Sequence, residues 1–386
     1  MKECKNALSL PQGFSSSAIA CGLKKNNQLD LALIYSEVPA ASFGMFTKNR
    51  FAAAAVKVCR EHLQAGRSQA IVVNSGNANC YTGKIGLSNA RKTARLTAKL
   101  LGLKEKFVLV ASTGIIGRQL DFAKIKNSLP FLTGSLSRNN PALVAEAIMT
   151  TDTKPKELAV RLKLGNKMIT LGAVAKGAGM IAPDMACTER RRSATMLCFI
   201  TTDGLIEHSA LKAALQEAVE SSFNMITVDG CMSTNDSVVI LANGLAKNKI
   251  IRLKDSYFFK FKTALSQICL GLAKMIVRDA EGATKFITIK ISGAKNTLQA
   301  KQAARAIANS NLFKTAAYGE GRNWGRIIAA LGACGVEVNE QIKLRCSSFK
   351  QKDILVEADL QCGCGSATVY TSDLTPEYIR INAEYN

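Results

Sequence analysis

Residues 174–203, with the sequence VAKGAGMIAPDMACTERRRSATMLCFITTD, are the stretch around which this chain is organised. They begin with a glycine loop at 176–179 and end with the apolar run TMLCFI at 195–200, which is typical of a buried strand. Thr195 thus stands at the first position of a predicted buried strand. If the peptide bond before it were cut, Thr195 would carry a hydroxyl nucleophile and its own base, because an α-amino group has a pKa of about 7.7–8.0.

The composition indicates a soluble globular protein of two or three domains, or of one large domain. The chain has 386 residues, of which 47% are hydrophobic and 21% charged, and its formal charge is +22. The basic residues are scattered, apart from a block at 190–192, and no run interleaves them with aromatic residues. We therefore expect a generally basic solvated surface rather than a nucleic-acid-binding one.

The cysteine spacing and the distribution of apolar residues indicate whether the protein binds a metal and where in the cell it is located. Many of the twelve cysteines lie inside apolar runs, and the only close pair, Cys362 and Cys364, has no matching Cys/His pair, so no metal site is expected. The chain does not open like a signal peptide and contains no stretch of about 20 apolar residues. A reducing cytoplasm, with no membrane partner, fits these observations.

Two predicted buried strands run into loops of small residues. The strand at 68–73 leads into NSGNAN at 74–79, and the strand at 107–111 leads into STGIIG at 112–117. Such loops can aim backbone N–H groups at an anion or at a developing oxyanion. Spacing alone leaves open whether they are plain turns or the floor of a site.

Strand and helix patterns mix along the whole chain. Further strands are predicted at 29–36, 52–58, 167–174, 237–242, 286–291, 354–360, 367–370 and 379–383, and helices at 89–101, 209–223, 257–277 and 296–308. There is no strict βαβ alternation and no repeat. This favours a mixed α/β fold with sheets covered by helices.

The sequence contains only two histidines, so it offers few candidates for histidine-based catalysis. The two histidines are His62, in a predicted polar turn, and His208, before a helix start, and both are predicted to be surface residues. A nucleophile that supplies its own amine needs no histidine, which favours Thr195.

The motifs in series resemble those of the ornithine acetyltransferases, the ArgJ family of arginine biosynthesis. They are AKGAGMIAPDMA at 175–186 followed by TML at 195–197, NSGNANCYTG from 74, STGIIG from 112, TTDT from 150, DAEGATK from 279, NWGR from 323 and DLTPEYIRINAEY from 373. The resemblance covers essentially the whole chain, with the motifs in order.

The resemblance implies a self-processing enzyme with an N-terminal nucleophile. Cleavage between Ala194 and Thr195 would give an α chain, 1–194, and a β chain, 195–386, assembled as a heterotetramer of two α and two β chains. The implied reaction moves acetyl from N-acetylornithine to glutamate through an acetyl-threonine intermediate. No cofactor, metal or nucleic acid is implied, and the use of acetyl-CoA as a second donor stays open.

The resemblance also assigns site residues. Thr195 is the nucleophile, and Thr113 and Gly114 correspond to the oxyanion hole. The substrate-binding positions are Thr150, Lys176, Thr195, Glu281 and Asn382. The Lys176 ammonium can meet a substrate carboxylate, and the Glu281 carboxylate can meet a substrate ammonium.

The sequence departs from the family pattern at four places. Eight extra residues, 187–194, separate Ala186 from Thr195, and Cys187 stands where the nucleophile would stand without them. We prefer Thr195, because Met-Leu and the predicted strand follow it. Cys231 occupies a position that is usually acidic, Gly-Arg at 321–322 replaces Asp-Pro, and the chain ends at 386, before the family's terminal substrate-binding threonine or serine.

Two other functions remain as alternatives. An amidase or aminopeptidase could use the same N-terminal nucleophile with water as the acyl acceptor. A homologue whose insertion has abolished processing would be non-enzymatic.

Overall fold

The computed structural model describes residues 2–3, 6–139, 143–186 and 196–384. The chain divides into two compact units. Unit 1 comprises Met1–Gly177, Asp184–Asn224 and Met232–Leu272, and unit 2 comprises Ala178–Pro183, Met225–Cys231 and Ala273–Asn386. This division differs in kind from the predicted cleavage products, since unit 1 contains residues from both sides of position 194.

Unit 1 is built on one large sheet. Its strands are β1 (Lys2–Glu3), β2 (Phe14–Ile19), β3 (Leu31–Phe46), β4 (Arg67–Asn74), β5 (Val108–Ser112), β6 (Lys156–Leu164), β7 (Lys167–Lys176), β8 (Leu197–Thr202) and β9 (Ser237–Ala242). Within the described residues, they form a nine-stranded sheet in the order β1-β6-β7-β8-β9-β3-β4-β5, with β2 paired to β3. Neighbouring strands pair antiparallel, except for β4 with β5 and β8 with β9.

Helices accompany this sheet. They are α1 (Ala54–Leu63), α2 (Gly83–Leu101), α3 (Phe122–Gly134), α4 (Leu143–Ala147), α5 (His208–Glu220) and α6 (Ser256–Arg278), which continues into unit 2, and there are short 3-10 turns at Ala7–Ser9, Glu105–Phe107 and Phe223–Met225. Successive side chains of β3 enter different apolar clusters: Ile34 packs in one and Leu33 in the other. Both faces of the sheet are therefore buried, which explains the continuous apolar runs of its strands.

Unit 2 contains a smaller sheet with helices. Its strands are β10 (Phe286–Ala294), β11 (Lys343–Cys346), β12 (Asp353–Asp359) and β13 (Gly365–Ser372), in the order β11-β12-β10-β13, and its helices are α7 (Thr297–Ala308), α8 (Asn311–Tyr318), α9 (Trp324–Gly332) and α10 (Pro376–Glu384). Alternate residues of β10, such as Ile287 and Ile289, pack with Ala304 and Ile307 of α7. The prediction of a mixed α/β fold with sheets covered by helices is confirmed.

The buried strand predicted at 195–200 is present as β8, but the structure places it at Leu197–Thr202, so it begins two residues later than predicted. All six of its residues are buried, and it lies between β7, which is antiparallel to it, and β9, which is parallel. A strand in the middle of a sheet covered on both faces needs apolar side chains in both directions, and the sequence LCFI supplies them.

Two predicted strands are wrong. Residues 54–58 of the first one belong to α1, because Ala55, Val58, Cys59 and His62 recur at helical spacing and are buried together. Residues 379–383 belong to α10, which begins with Pro376 at its first position. The hydroxyl of Thr375 accepts the Tyr378 N–H at 3.2 Å, as an N-cap does.

The two histidines have different environments. The prediction of a surface position is wrong for His62, which is 7% exposed, with a ring nitrogen 2.7 Å from the Val108 carbonyl oxygen. It is confirmed for His208, which is exposed at the start of α5. No helix in the described ranges is both long and apolar enough to cross a membrane.

Candidate active site

The two small-residue loops that follow β4 and β5 pack against each other. The Thr113 N–H donates to the Asn74 carbonyl at 3.0 Å, and the Ala78 N–H donates to the Ile115 carbonyl at 3.0 Å. Gly114 has a φ of +128°, and a Cβ there would lie 2.4 Å from the backbone carbon of Gly76. The contact therefore requires glycine, and the predicted oxyanion-hole residues Thr113 and Gly114 sit on the 74–79 loop.

Asn235 joins these two loops to a third loop, which leads into β9. Its side-chain amide donates to the carbonyl oxygens of Ala78 and Ser112, both at 2.7 Å, and the residue is buried. One side chain thus fixes the loops that follow β4 and β5. Buried bonds of this kind rigidify a site, since breaking one leaves backbone carbonyls unpaired.

The hydroxyl of Thr113 is buried and makes no hydrogen bond within the described residues. Thr113 is 1% exposed, and its Oγ1 has no hydrogen-bond partner among the residues that the structure describes. Leaving such a group unpaired costs about 1–3 kcal/mol. A donor in this state suits the stabilisation of charge that develops during a reaction.

Lys176 and Thr150, predicted to bind substrate, are brought together at the end of β7. The Lys176 ammonium donates to Thr150 Oγ1 at 2.7 Å, and it lies 3.7 Å from Asp152 Oδ2. Lys176 is 2% exposed. A buried ammonium held this way can bind a substrate carboxylate.

Asp152 organises this cluster, although the sequence interpretation assigned it no role. Its carboxylate accepts from the Lys156 ammonium at 2.7 Å, from the Gly177 N–H at 2.6 Å and from the Thr150 N–H at 3.0 Å. Burial opposes its ionisation, but the charges of Lys176 and Lys156 and these hydrogen bonds prevail and hold the pKa of Asp152 below its usual range. An acidic residue inside the otherwise uncharged TTDT motif was the available signal.

Glu281 and Asn382 are brought together in unit 2. The Asn382 side-chain amide donates to Glu281 Oε2 at 2.7 Å. Glu281 is 9% exposed, and its backbone N–H donates to the Ala178 carbonyl at 3.1 Å. A Cβ on Gly179 would lie 2.2 Å from Glu281 Oε2, so this glycine leaves room for the carboxylate.

Asp229 holds the glycine-rich segment 178–183 within unit 2. Its carboxylate accepts the N–H groups of Met180 at 2.6 Å, Ile181 at 3.0 Å and Cys231 at 2.9 Å. Burial raises the pKa of Asp229, and these hydrogen bonds oppose the rise. Cys231, which the resemblance places at a usually acidic position, is exposed, and its N–H bonds to this carboxylate.

Comparison with known proteins identifies the family. The model of the ArgJ family matches residues 15–350. A protein of Symbiobacterium thermophilum named arginine biosynthesis bifunctional protein ArgJ is 41% identical, with 100% of both chains covered. A protein of the same name from Geobacter sulfurreducens is 41% identical over 97% of this chain and 99% of its own.

The chain belongs to the ArgJ family.

A third ArgJ relative carries a more specific name. The glutamate N-acetyltransferase of Methanocaldococcus jannaschii is 40% identical, again with 100% of both chains covered. The family assignment confirms the predicted resemblance and, with it, the expected class of enzyme, an acyltransferase of arginine biosynthesis.

The predicted cleavage junction of this ArgJ chain, Ala194 and Thr195, lies outside the described residues, as does Cys187. The described residues on either side of the undescribed segment, Ala186 and Met196, both make hydrogen bonds. Ala186 exchanges backbone hydrogen bonds with Phe46 at 3.2 and 3.3 Å. Met196 is 0% exposed, its carbonyl accepts the Ser237 N–H at 3.0 Å, and its N–H donates to Asp236 Oδ1.

The pairing of β7 with β8 places Lys176 opposite Leu197, which follows the predicted cleavage junction in the sequence. Lys176 pairs with Leu197 in the β7–β8 ladder, and Leu197 pairs with Ser237 across β8 and β9. Asn235, two residues before Ser237, binds the carbonyl of Ser112, which precedes Thr113. Thr113 and Lys176 are therefore linked through the start of β8, the strand that follows the predicted nucleophile Thr195 in the sequence.

Asp236 is a further residue of this region, besides Asp152 and Asn235, to which the sequence interpretation gave no role. It is 0% exposed and precedes β9 directly. The available signal was a carboxyl group immediately before a fully apolar strand. Among the described residues, no group of three or more His, Cys, Asp or Glu side chains is arranged to hold a metal ion.

Proposed function

We propose that this chain transfers the acetyl group of N-acetylornithine to glutamate through an acetyl ester on Thr195. The observation that carries the proposal is the start of β8. Met196 is buried there, and Leu197, the next residue, pairs with Lys176. Lys176, whose ammonium suits a substrate carboxylate, thus pairs with the residue two positions after Thr195 in the sequence.

In the proposed mechanism, the chain first cuts itself: the Ala194–Thr195 bond is hydrolysed, water adds to the Ala194 carbonyl carbon to leave a carboxylate there, and the Thr195 amine is freed. That amine takes the proton of Thr195 Oγ1 as the oxygen attacks the acetyl carbonyl of N-acetylornithine. The oxyanion binds the Thr113 hydroxyl and the Gly114 N–H. The C–N bond then breaks, ornithine leaves with the proton, and the acetyl group remains on Oγ1.

Glutamate completes the cycle. Its α-amine attacks the ester carbonyl, the Oγ1–acetyl bond breaks, and Oγ1 recovers a proton, which releases N-acetylglutamate. We propose that Thr150 and Lys176 bind the substrate carboxylate. For Glu281 and Asn382 we propose binding of the substrate ammonium, a role that rests on the family resemblance and on the acceptor oxygens of the Glu281 carboxylate.

The decisive experiment combines mass spectrometry with two variants. The purified chain should give two fragments, the second beginning with Thr195. Thr195→Ala should remain uncut and inactive, whereas Thr195→Ser, which keeps a hydroxyl and an α-amine, should cut itself and retain part of the activity. Normal acetyl transfer by an uncut wild-type chain, or by Thr195→Ala, would overturn the mechanism and make Cys187 the first alternative.

The same enzyme preparation separates transfer from hydrolysis. Ornithine release from N-acetylornithine should depend on added glutamate, with N-acetylglutamate formed in equal amount. Equal ornithine release without glutamate would instead support the amidase or aminopeptidase alternative. An uncut chain that is inactive with both substrates would support the non-enzymatic alternative.

We also propose acetyl-CoA as a second acetyl donor. The support is that two relatives that match this chain over nearly its whole length are named bifunctional. Release of free thiol from acetyl-CoA should then require glutamate and should be lost in Thr195→Ala. Thiol release that persists in that variant would place the second donor's chemistry elsewhere.

The assembly is proposed on the family resemblance, and the location on the sequence pattern. We propose a cytoplasmic heterotetramer of two chains 1–194 and two chains 195–386, without a cofactor or a metal. Native mass spectrometry should find one complex that contains two copies of each fragment. A complex with one copy of each would contradict the assembly but not the chemistry.

A further inference from the structure

A cavity of about 600 Å³ lies at the start of α1 and the start of α2. Its lining comes from residues 50–57 and 79–87, which all belong to unit 1. A volume of this size is typical of a small-molecule site. None of the described residues to which the mechanism above gives a role lines this cavity, so its function is unassigned.

Three basic side chains line the cavity, namely Arg50, Lys57 and Lys84. All three are exposed, and none of them forms an ion pair within residues 2–3, 6–139, 143–186 and 196–384. The described part of the lining includes no aspartate or glutamate. Like charges around one hollow repel each other, and a ligand with several negative charges removes that repulsion.

The start of α2 adds partial positive charge to the same cavity. Thr82 precedes this 19-residue helix but makes no capping hydrogen bond, because its hydroxyl donates to Asn79 Oδ1 at 3.0 Å. Thr82, Gly83 and Lys84 all line the cavity. The first N–H groups of α2 thus lack a side-chain cap, and N–H groups in this position bind phosphate oxygens readily.

Two aromatic rings are exposed at this cavity. Phe51 and Tyr81 are 65% and 77% exposed, and their ring centroids lie 6.1 Å apart. Tyr81 has a φ of +59°, a left-handed conformation that is uncommon for a bulky side chain. Core packing does not account for this strain, because the ring is exposed, and strained backbone is concentrated at functional sites. Exposed aromatic rings of this kind stack on nucleobases.

The cavity is in direct backbone contact with the loop 112–117, which carries the proposed oxyanion hole. Asn79 and Tyr81 line the cavity, and the carbonyl of Cys80, which stands between them, accepts the Gly117 N–H at 3.0 Å. A donor molecule that is bound by one part and reacts at another part requires two such connected regions.

We propose that this cavity binds a phosphorylated adenine nucleotide, namely the 3′-phospho-ADP moiety of acetyl-CoA. The inference rests on the proposed use of acetyl-CoA as a second donor. Arg50, Lys57, Lys84 and the first N–H groups of α2 bind the phosphates, and the adenine ring stacks against the exposed aromatic rings. The pantetheine arm separates this nucleotide from the thioester, so the nucleotide needs binding groups of its own.

The test uses a full-length double variant, Lys57→Met with Lys84→Met. The matched control is Lys99→Met with Lys126→Met, which removes the same charge from exposed positions of α2 and α3 that do not line the cavity. Calorimetry measures the binding of CoA, of adenosine 3′,5′-bisphosphate and of ATP. Steady-state kinetics measures KM for acetyl-CoA and, in parallel, KM for N-acetylornithine.

The Lys57→Met, Lys84→Met chain should raise Kd for CoA and KM for acetyl-CoA by at least about tenfold, the usual loss for one charge-assisted hydrogen bond. Its kinetics with N-acetylornithine should match wild type, because that donor carries no phosphate. The control should match wild type with both donors. Adenosine 3′,5′-bisphosphate should compete with CoA, and ATP should bind more weakly than CoA.

Tyr81→Asn tests the aromatic ring independently of charge. Asparagine adopts a positive φ more readily than tyrosine, so this variant should melt no lower than wild type and yet bind CoA more weakly. A lower melting temperature with wild-type CoA affinity would assign the ring a structural role. A changed mass of the assembly with wild-type CoA affinity would make this face an interface between copies of the chain. Either result would count against the proposal.

Wild-type CoA affinity in the double variant would overturn this inference, as would ATP that binds as tightly as CoA. If acetyl-CoA still releases thiol with wild-type KM in that variant, only the location of the nucleotide site is wrong. If the wild-type chain releases no thiol from acetyl-CoA, the second donor itself is wrong and the assignment fails with it. Transfer from N-acetylornithine to glutamate, measured in parallel, decides the main proposed function separately.

Discussion

Lys176 and Leu197 lie opposite each other in the ladder between β7 and β8, and Leu197 follows Thr195 by two residues in the sequence. The Lys176 ammonium donates to Thr150 at 2.7 Å and faces Asp152 at 3.7 Å. The pairing of two strands thus connects three sequence motifs that are far apart in the chain. Each of these contacts has a consequence that can be measured.

Removal of the Lys176 charge should weaken substrate binding. Lys176→Met keeps most of the volume and loses the ammonium, so KM for N-acetylornithine should rise about 10- to 100-fold, the equivalent of one charge-assisted hydrogen bond. Asp152 keeps Lys156 at 2.7 Å, so the chain should still fold. Lys167→Met, at the exposed first position of β7, is the control, and steady-state kinetics is the measurement. An unchanged KM in folded Lys176→Met would exclude this role.

Removal of the Thr113 hydroxyl should affect activity and not stability. Thr113→Val should lower kcat by about 10²- to 10³-fold, the usual loss for one oxyanion donor. Since the buried Oγ1 has no partner in the described part of the chain, the free energy of unfolding should stay the same or increase by about 1 kcal/mol. Thr113→Ser, which restores the hydroxyl, should keep most of the activity. Denaturant unfolding with kinetics checks both, and a stability loss with normal kcat would assign Thr113 a structural role.

Filling the space beside Glu281 should displace its carboxylate. In Gly179→Ala the new Cβ would lie 2.2 Å from Glu281 Oε2, and the flexible side chain must move away from Asn382. We expect KM for N-acetylornithine to rise about tenfold, with little change in stability. Gly321→Ala, where a Cβ meets nothing within 4 Å, should behave as wild type. The same KM in both variants would argue against a binding role for Glu281.

Titration of the buried Lys314 should make the free energy of unfolding of unit 2 increase as the pH is raised above about 8. Lys314 is 2% exposed, and burial lowers its pKa to about 8, although Asp229 and Asp373 oppose the shift. An unfolded lysine titrates near 10.4, so between pH of about 8 and about 10.4 the unfolded state binds more protons, and stability rises with pH. Lys314→Met should lack this rise.

Chemical denaturation across this pH range measures the effect, and Lys343→Met, on the exposed first residue of β11, is the control. The comparison is between pH slopes, because tyrosines and cysteines titrate in the same range in every variant. Identical slopes in wild type and Lys314→Met would show that the buried amine keeps an ordinary pKa.

Local patterns determined several features of this protein from the sequence alone. The apolar run that follows Thr195 predicted β8, because a strand buried on both faces has little room for polar side chains. The motifs in series predicted the family, which the comparisons confirmed. Asn382 and Glu281 were assigned to one function from separate motifs, and the structure joins them at 2.7 Å.

Where the local periodicity was ambiguous, a helix cap or the packing of the folded chain decided. Residues 379–383 alternate like a strand, yet Pro376 and the Thr375 cap begin a helix there. His62 looked like a surface residue in a polar turn, but the helical face it shares with Val58 is buried. A short segment satisfies two periodicities equally well: burial of one face selects the helix at His62, whereas capping selects α10, which has no buried residue.

The roles of Asn235, Asp236 and Asp152 were decided by the tertiary structure alone. Asn235 bonds to carbonyls 123 and 157 residues away, and Asp152 binds Gly177, 25 residues away. Such contacts leave no periodic trace in the sequence, because each depends on how distant strands end beside one another. The sequence determined which strands are buried and which family the chain resembles, while the folded chain determined which polar groups hold the site.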